Sequence, residues 1–139
     1  MAEIVVVADE PTVAAEVVAA LEGGDNEVRV VPAGHLVRDE VEESPPDLVV
    51  TDMQVGSMGG IAICMDLRLE ESGGRIPHVP VLVLVDRRAD VFLVRRSGAE
   101  GWLVKPLNPI RLRRAAQALL DGGTFHDDSY RPLPLPAEV

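Results

Sequence analysis

Cysteine is nearly absent from this chain: its 139 residues include one, Cys64. A lone thiol closes no internal disulfide and brings no second sulfur to a metal, which excludes a disulfide-stapled scaffold and suits a reducing compartment, the cytoplasm. Aromatic residues make up only 3% of the chain, so its core must be aliphatic, built from Val, Leu, Ile and Ala. Basic residues are outnumbered by acidic ones, 13 to 23, and the formal net charge of −10 would repel nucleic-acid phosphates. No apolar run approaches the roughly 18 residues that span a bilayer. The opening "MAEIVVVADE" also carries an acid where a signal peptide carries basic residues. What remains is a hydrophobic content of 47%, enough for a folded core, in a length that suits one domain.

That hydrophobic content is concentrated in five short runs, "EIVVVA", "EVRVV", "DLVVT", "VPVLVLV" and "GWLV". Continuous apolar runs, unlike alternating ones, predict strands buried on both faces of a parallel sheet, with helices packed on either side in an α/β layered fold. The first helix opens at Pro11 and Thr12, carries Val13, Val17, Val18 and Leu21 at helical spacing, and stops at Gly23 and Gly24. A second is predicted near His35 to Glu43 with Leu36, Val37 and Val41 inward. A third runs from Gly60 to Glu71 with Ile61, Met65 and Leu69 at i, i+4, i+8. The fourth, Ala89 to Arg96, is short, and the last starts with Asn108 as N-cap and Pro109 in the first turn. Residues 1–123 read as the domain. Residues 124–139, "TFHDDSYRPLPLPAEV", with prolines at alternating positions, read as an extended or disordered tail whose removal should cost little stability.

In a parallel sheet, chemistry gathers at the carboxyl ends of the strands. The predicted ends place Ala8, Asp9 and Glu10 after the first strand, Asp52 at the end of the third, Val85 and Asp86 at the fourth, and Lys105 and Pro106 at the fifth. Two or three carboxylates thus face one lysine. The stretches "IVVVADEP", "PDLVVTDMQVGSMGG", "VPVLVLV" and "GAEGWLVKP", in this order and followed by a capped helix, resemble the response-regulator receiver domain of two-component signalling over roughly residues 3 to 121.

The resemblance implies a flavodoxin-like three-layer sandwich, a five-stranded parallel sheet in the order 2-1-3-4-5 with five helices. It implies that Asp52 is the phosphoacceptor, that Asp9, Asp52 and the backbone carbonyl of Gln54 hold Mg2+, and that Lys105 contacts the phosphoryl group. A carboxylate acceptor of this kind forms an acyl phosphate and needs a cation beside it. Several positions depart from the family pattern. Ala8 replaces the first member of the acidic pair, which should weaken the metal. Val85 stands where a hydroxyl residue ends the fourth strand, Asp86 where a small residue follows it, and Val55-Gly56 where Met-Pro is usual. Asp86 should oppose phosphorylation unless it turns to solvent or pairs with Arg87 or Arg88.

These residues also have plainer readings. Asp9 and Glu10 could simply favour the first helix dipole, Cys64 reads as a core residue, and His35, His78 and His126 lack metal-ligand spacing and read as surface. Trp102 reads as exposed or half-buried. The Arg111, Arg113 and Arg114 cluster reads first as a solvated helix face; as a docking face, the short fourth helix, Trp102 and the last helix with Arg111 and Arg114 form the expected output face, and acidic faces elsewhere would let a second copy meet the arginines as a homodimer. The whole reads as a stand-alone regulatory receiver, not a conventional enzyme, at most accepting and losing a phosphoryl group. Its expected partners are a histidine kinase or phosphotransfer protein and a protein target, with neither nucleic acid nor membrane. The rival readings are a phosphorylation-independent interaction module and a flavodoxin-like small-ligand binder.

Overall fold

A computed structural model describes residues 2–127. Six parallel strands form one sheet in the order β2-β1-β3-β4-β5-β6. They are β1 (Glu3–Val7), β2 (Glu27–Val31), β3 (Leu48–Asp52), β4 (Val81–Val85), β5 (Gly101–Val104) and the two-residue β6 (Phe125–His126). The helices are α1 (Pro11–Leu21), α2 (Val37–Glu43), α3 (Gly60–Ser72), α4 (Val91–Arg95) and α5 (Pro109–Leu120). Every residue of β3 and β4 is buried, as continuous aliphatic strands between two helical layers require. One core layer joins Val5, Val49, Val83 and Trp102 to Ile63 and Leu67 of α3, and the other joins Ile4, Val50 and Leu84 to Val17 of α1 and Leu112 of α5. Among the described residues no helix is long and apolar enough to cross a membrane.

Asn108 caps α5 as its position predicts, its side-chain oxygen accepting from the amides of Ile110 and Arg111 at 2.9 and 3.2 Å. Cys64 is fully buried, and burial pushes its thiol above the usual value, as a core residue should show.

Three expectations are corrected. The inward stripe of α3 is Ile63, Cys64 and Leu67, whereas Met65 and Leu69 are 56% and 64% exposed. Both stripes have helical spacing; the one that turns inward lies on the same side as Gly60, where a Cβ would lie 2.8 Å from the Asp52 carbonyl. Leu67→Ala should therefore cost about 2–5 kcal/mol, and Leu69→Ala no more than about 0.5 kcal/mol, by chemical denaturation.

Second, α2 is preceded by a 3-10 turn at Gly34–Leu36, which leaves Leu36 43% exposed while Val37 and Val41 go inward. The backbone of Gly34 packs against Met58 where no side chain would fit. Third, the segment after Gly123 begins as structure: Phe125 and His126 pair with Gly101 and Trp102 of β5, and Asp127 is buried. The rest of the expected tail, 128–139, lies outside the described residues.

Candidate functional site

Because all strands run parallel, the residues that follow their apolar runs come to one rim. Asp52 closes the central strand β3, 3% exposed. A carboxylate so buried needs a charged partner. Lys105, just past β5, supplies it: Nζ donates to Asp52 Oδ1 at 2.9 Å. The same Nζ donates to Asp86 Oδ1 at 2.8 Å, so one ammonium is shared by two carboxylates. Burial alone would lower the Lys105 pKa, but hydrogen bonds and charge from Asp86 and Asp52 outweigh it and raise it above the ordinary lysine value. A raised lysine contributes its stabilisation in full below the unfolded value and loses it as pH climbs through the folded one, so this bridge is lost only in alkaline solution above the ordinary lysine range. The Lys105 amide is held by the Val85 carbonyl at 2.8 Å, and the Lys105–Pro106 peptide is cis.

Asp86 thus forms its ion pair with Lys105 and remains partly exposed, while Arg87 forms its ion pair with Asp90. Asp86 Oδ2 is buried without a partner. Val85 is fully buried. The hydroxyl of Thr51, the residue before Asp52, donates to the main-chain carbonyl of Asp52 at 3.0 Å, so it is committed to the backbone.

Asp9 is exposed, and its Oδ2 accepts from the Gly56 amide at 2.6 Å. A Cβ at Gly56 would meet that oxygen at 2.9 Å, so the glycine is what lets the loop close on Asp9. The following residue, Ser57, has a positive φ of 70°, and its hydroxyl contacts His35 Nδ1 at 2.8 Å and accepts from the His35 amide at 3.3 Å. Nothing in residue spacing announced this latch. The Gln54 amide donates to Asp52 Oδ1 at 3.3 Å.

The resemblance designates Asp9, Asp52 and the Gln54 carbonyl for Mg2+. Among the described residues no three His, Cys, Asp or Glu side chains come close enough to hold a metal by themselves. Two carboxylates, each with one oxygen already hydrogen-bonded, and a carbonyl are donors of the kind taken by a hard ion, such as Mg2+, that keeps several waters.

On the expected output face, Trp102 is corrected from exposed or half-buried to buried, at 3% exposure, because it lies in the core layer and the His126 ring stacks on it at 4.2 Å between centroids. Arg111 is bonded to Asp127 Oδ1 at 2.5 Å, whereas Arg113 and Arg114 are exposed. A separate groove of about 370 Å³ lies between α1 and α5, lined by Ala19, Leu107 and Leu112 among others, away from Asp52.

A sequence model described as the response regulator receiver domain matches residues 4–117. The DNA-binding response regulator MtrA of Mycolicibacterium smegmatis is 32% identical over 119 residues, 84% of this chain and 50% of MtrA. The transcriptional regulatory protein RstA of Escherichia coli is 30% identical over 133 residues, 88% of this chain and 53% of RstA. This chain thus spans about half the length of the curated relatives it matches. Among solved structures, the signal receiver domain of a signal transduction histidine kinase from Syntrophus aciditrophicus superposes with a TM-score of 0.77 at 24% identity, covering 99% of this chain and 100% of that one. The chemotaxis response regulator CheY4 of Vibrio cholerae gives 0.74 at 24% identity, covering 84% and 97%. Likeness at that identity concerns the flavodoxin-like fold, while the sequence match reaches from the first strand into the last long helix, and on that match the chain belongs to the response regulator receiver domain family of two-component systems.

Proposed function

We propose that this receiver takes a phosphoryl group on Asp52 from a histidine kinase or phosphotransfer protein in the cytoplasm and acts by docking to a protein target. The observation that carries this reading is the 2.9 Å contact between Lys105 Nζ and the buried Asp52 at the carboxyl end of the central strand. The step balances as a simple displacement. An Asp52 oxygen attacks the phosphorus of a phosphohistidine, the P–N bond breaks, its electron pair stays on the imidazole nitrogen, and an acyl phosphate remains on Asp52. Lys105 is placed to turn its ammonium toward the new phosphoryl oxygens. Mg2+, when held by Asp9, Asp52 and the Gln54 carbonyl, supplies the further positive charge that lets two anions meet.

Three residues make this an atypical site. Ala8 offers no carboxylate, Val85 offers no hydroxyl, and Asp86 already holds the lysine that a phosphoryl group would need. Phosphorylation then competes with an internal carboxylate, and the response of the output face is shallow. The Asp86–Lys105 bridge also favours a second reading, a phosphorylation-independent module that keeps the fold for protein docking.

Incubation with a small phosphodonor and Mg2+, followed by intact-mass measurement, tests both. Asp52→Asn should lose all incorporation seen in the unchanged chain, and incorporation that survives it would sink the acceptor assignment. No incorporation in either chain, nor in Asp86→Ala, would favour the second reading.

A further inference from the structure

The β5 edge that belongs to the expected output face is closed by the chain's own C-terminal segment. β6 pairs with β5 at two positions, Gly101 with Phe125 and Trp102 with His126. The edge admits a backbone closely, since a Cβ on Gly101 would lie 2.9 Å from the Phe125 carbonyl. One residue further on, a side chain takes over from the main chain: Asp127 Oδ2 accepts the Val104 amide at 2.8 Å, and Oδ1 accepts from Arg111. Between these anchors the His126 ring lies flat on Trp102, the planes 4° apart, with the Arg95 guanidinium 5.3 Å from the same indole. A strand edge, a flat aromatic surface and a guanidinium are thus arranged in a row, and each meets a different part of the segment.

We propose that the β5 edge, Trp102 and Arg111 form a recognition groove for an extended segment of a partner protein carrying a flat ring followed directly by a carboxylate, with residues 125–127 as its built-in occupant. Such recognition is strand addition, in which main-chain hydrogen bonds supply affinity and side-chain pockets supply specificity. Among the described residues the resident segment pairs with β5 at only two positions, its histidine is exposed, and the buried Trp102 Nε1 beside it has no hydrogen-bond partner. In a chain of net charge −10, two guanidiniums meet at this edge, Arg95 over Trp102 and Arg111 on the Asp127 carboxylate, and this pairing selects an acidic segment. The proposal needs only β5, β6 and α5, and stands whether or not Asp52 is phosphorylated.

The test uses the full chain, isotopically labelled, titrated with the synthetic peptide Thr-Phe-His-Asp-Asp and followed by amide and indole shifts. Asp127→Asn keeps the shape of the resident segment but weakens its anchor. It should bind the peptide at least about tenfold more tightly than the unchanged chain, a difference of about 1.4 kcal/mol, with shifts centred on Val104 and Trp102. Adding Arg111→Gln should remove that gain. Should Asp127→Asn fail to fold, His126→Ala, which lifts the resident ring off Trp102, repeats the test with the same expected gain. Equal affinity in the opened and unchanged chains, shifts centred elsewhere, or no binding by either opened chain at millimolar peptide would overturn the groove.

Discussion

Asp127→Ala is expected to lower the unfolding free energy by about 3 kcal/mol, because hydrogen bonds to a charged group are worth about 1.5–3 kcal/mol each and are not fully additive. The substitution removes a side chain with no exposure that holds the Val104 amide and the Arg111 guanidinium. Val104 is 9% exposed, so its amide gains little from water when its acceptor is lost. The partial exposure of Arg111, 34%, limits the penalty on its side, which keeps the estimate below that for a wholly buried pair. For a domain of this size the fall in melting temperature should be on the order of 10 °C. Calorimetry checks it, with Asp25→Ala in an exposed turn as a comparison that should change stability by less than about 0.5 kcal/mol. A melting temperature unmoved by Asp127→Ala would mean that residues 125–127 do not hold the β5 edge in solution.

The second large effect lies at the shared lysine. Removing the Asp86 carboxylate takes a like charge from beside Asp52 and leaves Lys105 one anion instead of two. A unit charge about 6 Å from a phosphoryl group costs about 0.7 to 3 kcal/mol across effective dielectrics of about 80 to 20. Because the Asp86 side chain is 31% exposed, solvent screening favours the lower half of that range. Asp86→Ala should therefore bind a phosphoryl mimic such as beryllofluoride about 3- to 30-fold more tightly in the presence of Mg2+, while affinity for Mg2+ alone falls slightly. The lysine provides an independent readout. With one partner gone, burial weighs more heavily against the ammonium, and the Lys105 pKa should drop toward or below its ordinary value, observable by NMR titration. If the mimic binds no better and Lys105 does not titrate lower, Asp86 does not govern the site.

The site was legible in the sequence to the extent that strand ends were. "DLVVTD" ends on Asp52 and "GWLVK" on Lys105, and once both runs are strands of one parallel sheet their ends must share a rim. Which partner Lys105 would choose was not legible. Asp86 had two arginines beside it in sequence, yet the lysine nineteen residues on is the cation within reach, because β4 and β5 are neighbours and end together. Trp102 illustrates the same limit: its strand was evident, but its burial depends on a histidine stacked from a segment that shows no strand period of its own.

By itself, then, the sequence determined the aliphatic core, the parallel α/β class, the strand order expected of its family, and the gathering of Asp9, Asp52, Asp86 and Lys105 at one rim. The core, the class and the rim follow from local composition and from a periodicity that repeats within each element, whereas the strand order is what the resemblance to the family implied. Only the tertiary structure decided which stripe of α3 turned inward, since Ile61-Met65-Leu69 and Ile63-Cys64-Leu67 both satisfy a helical repeat and only packing on the sheet separates them. It likewise decided that Lys105 serves two carboxylates and that residues 125–127 complete the sheet. Contacts of this kind join residues far apart in the chain, and their free energy appears only when another segment has already been positioned to receive them.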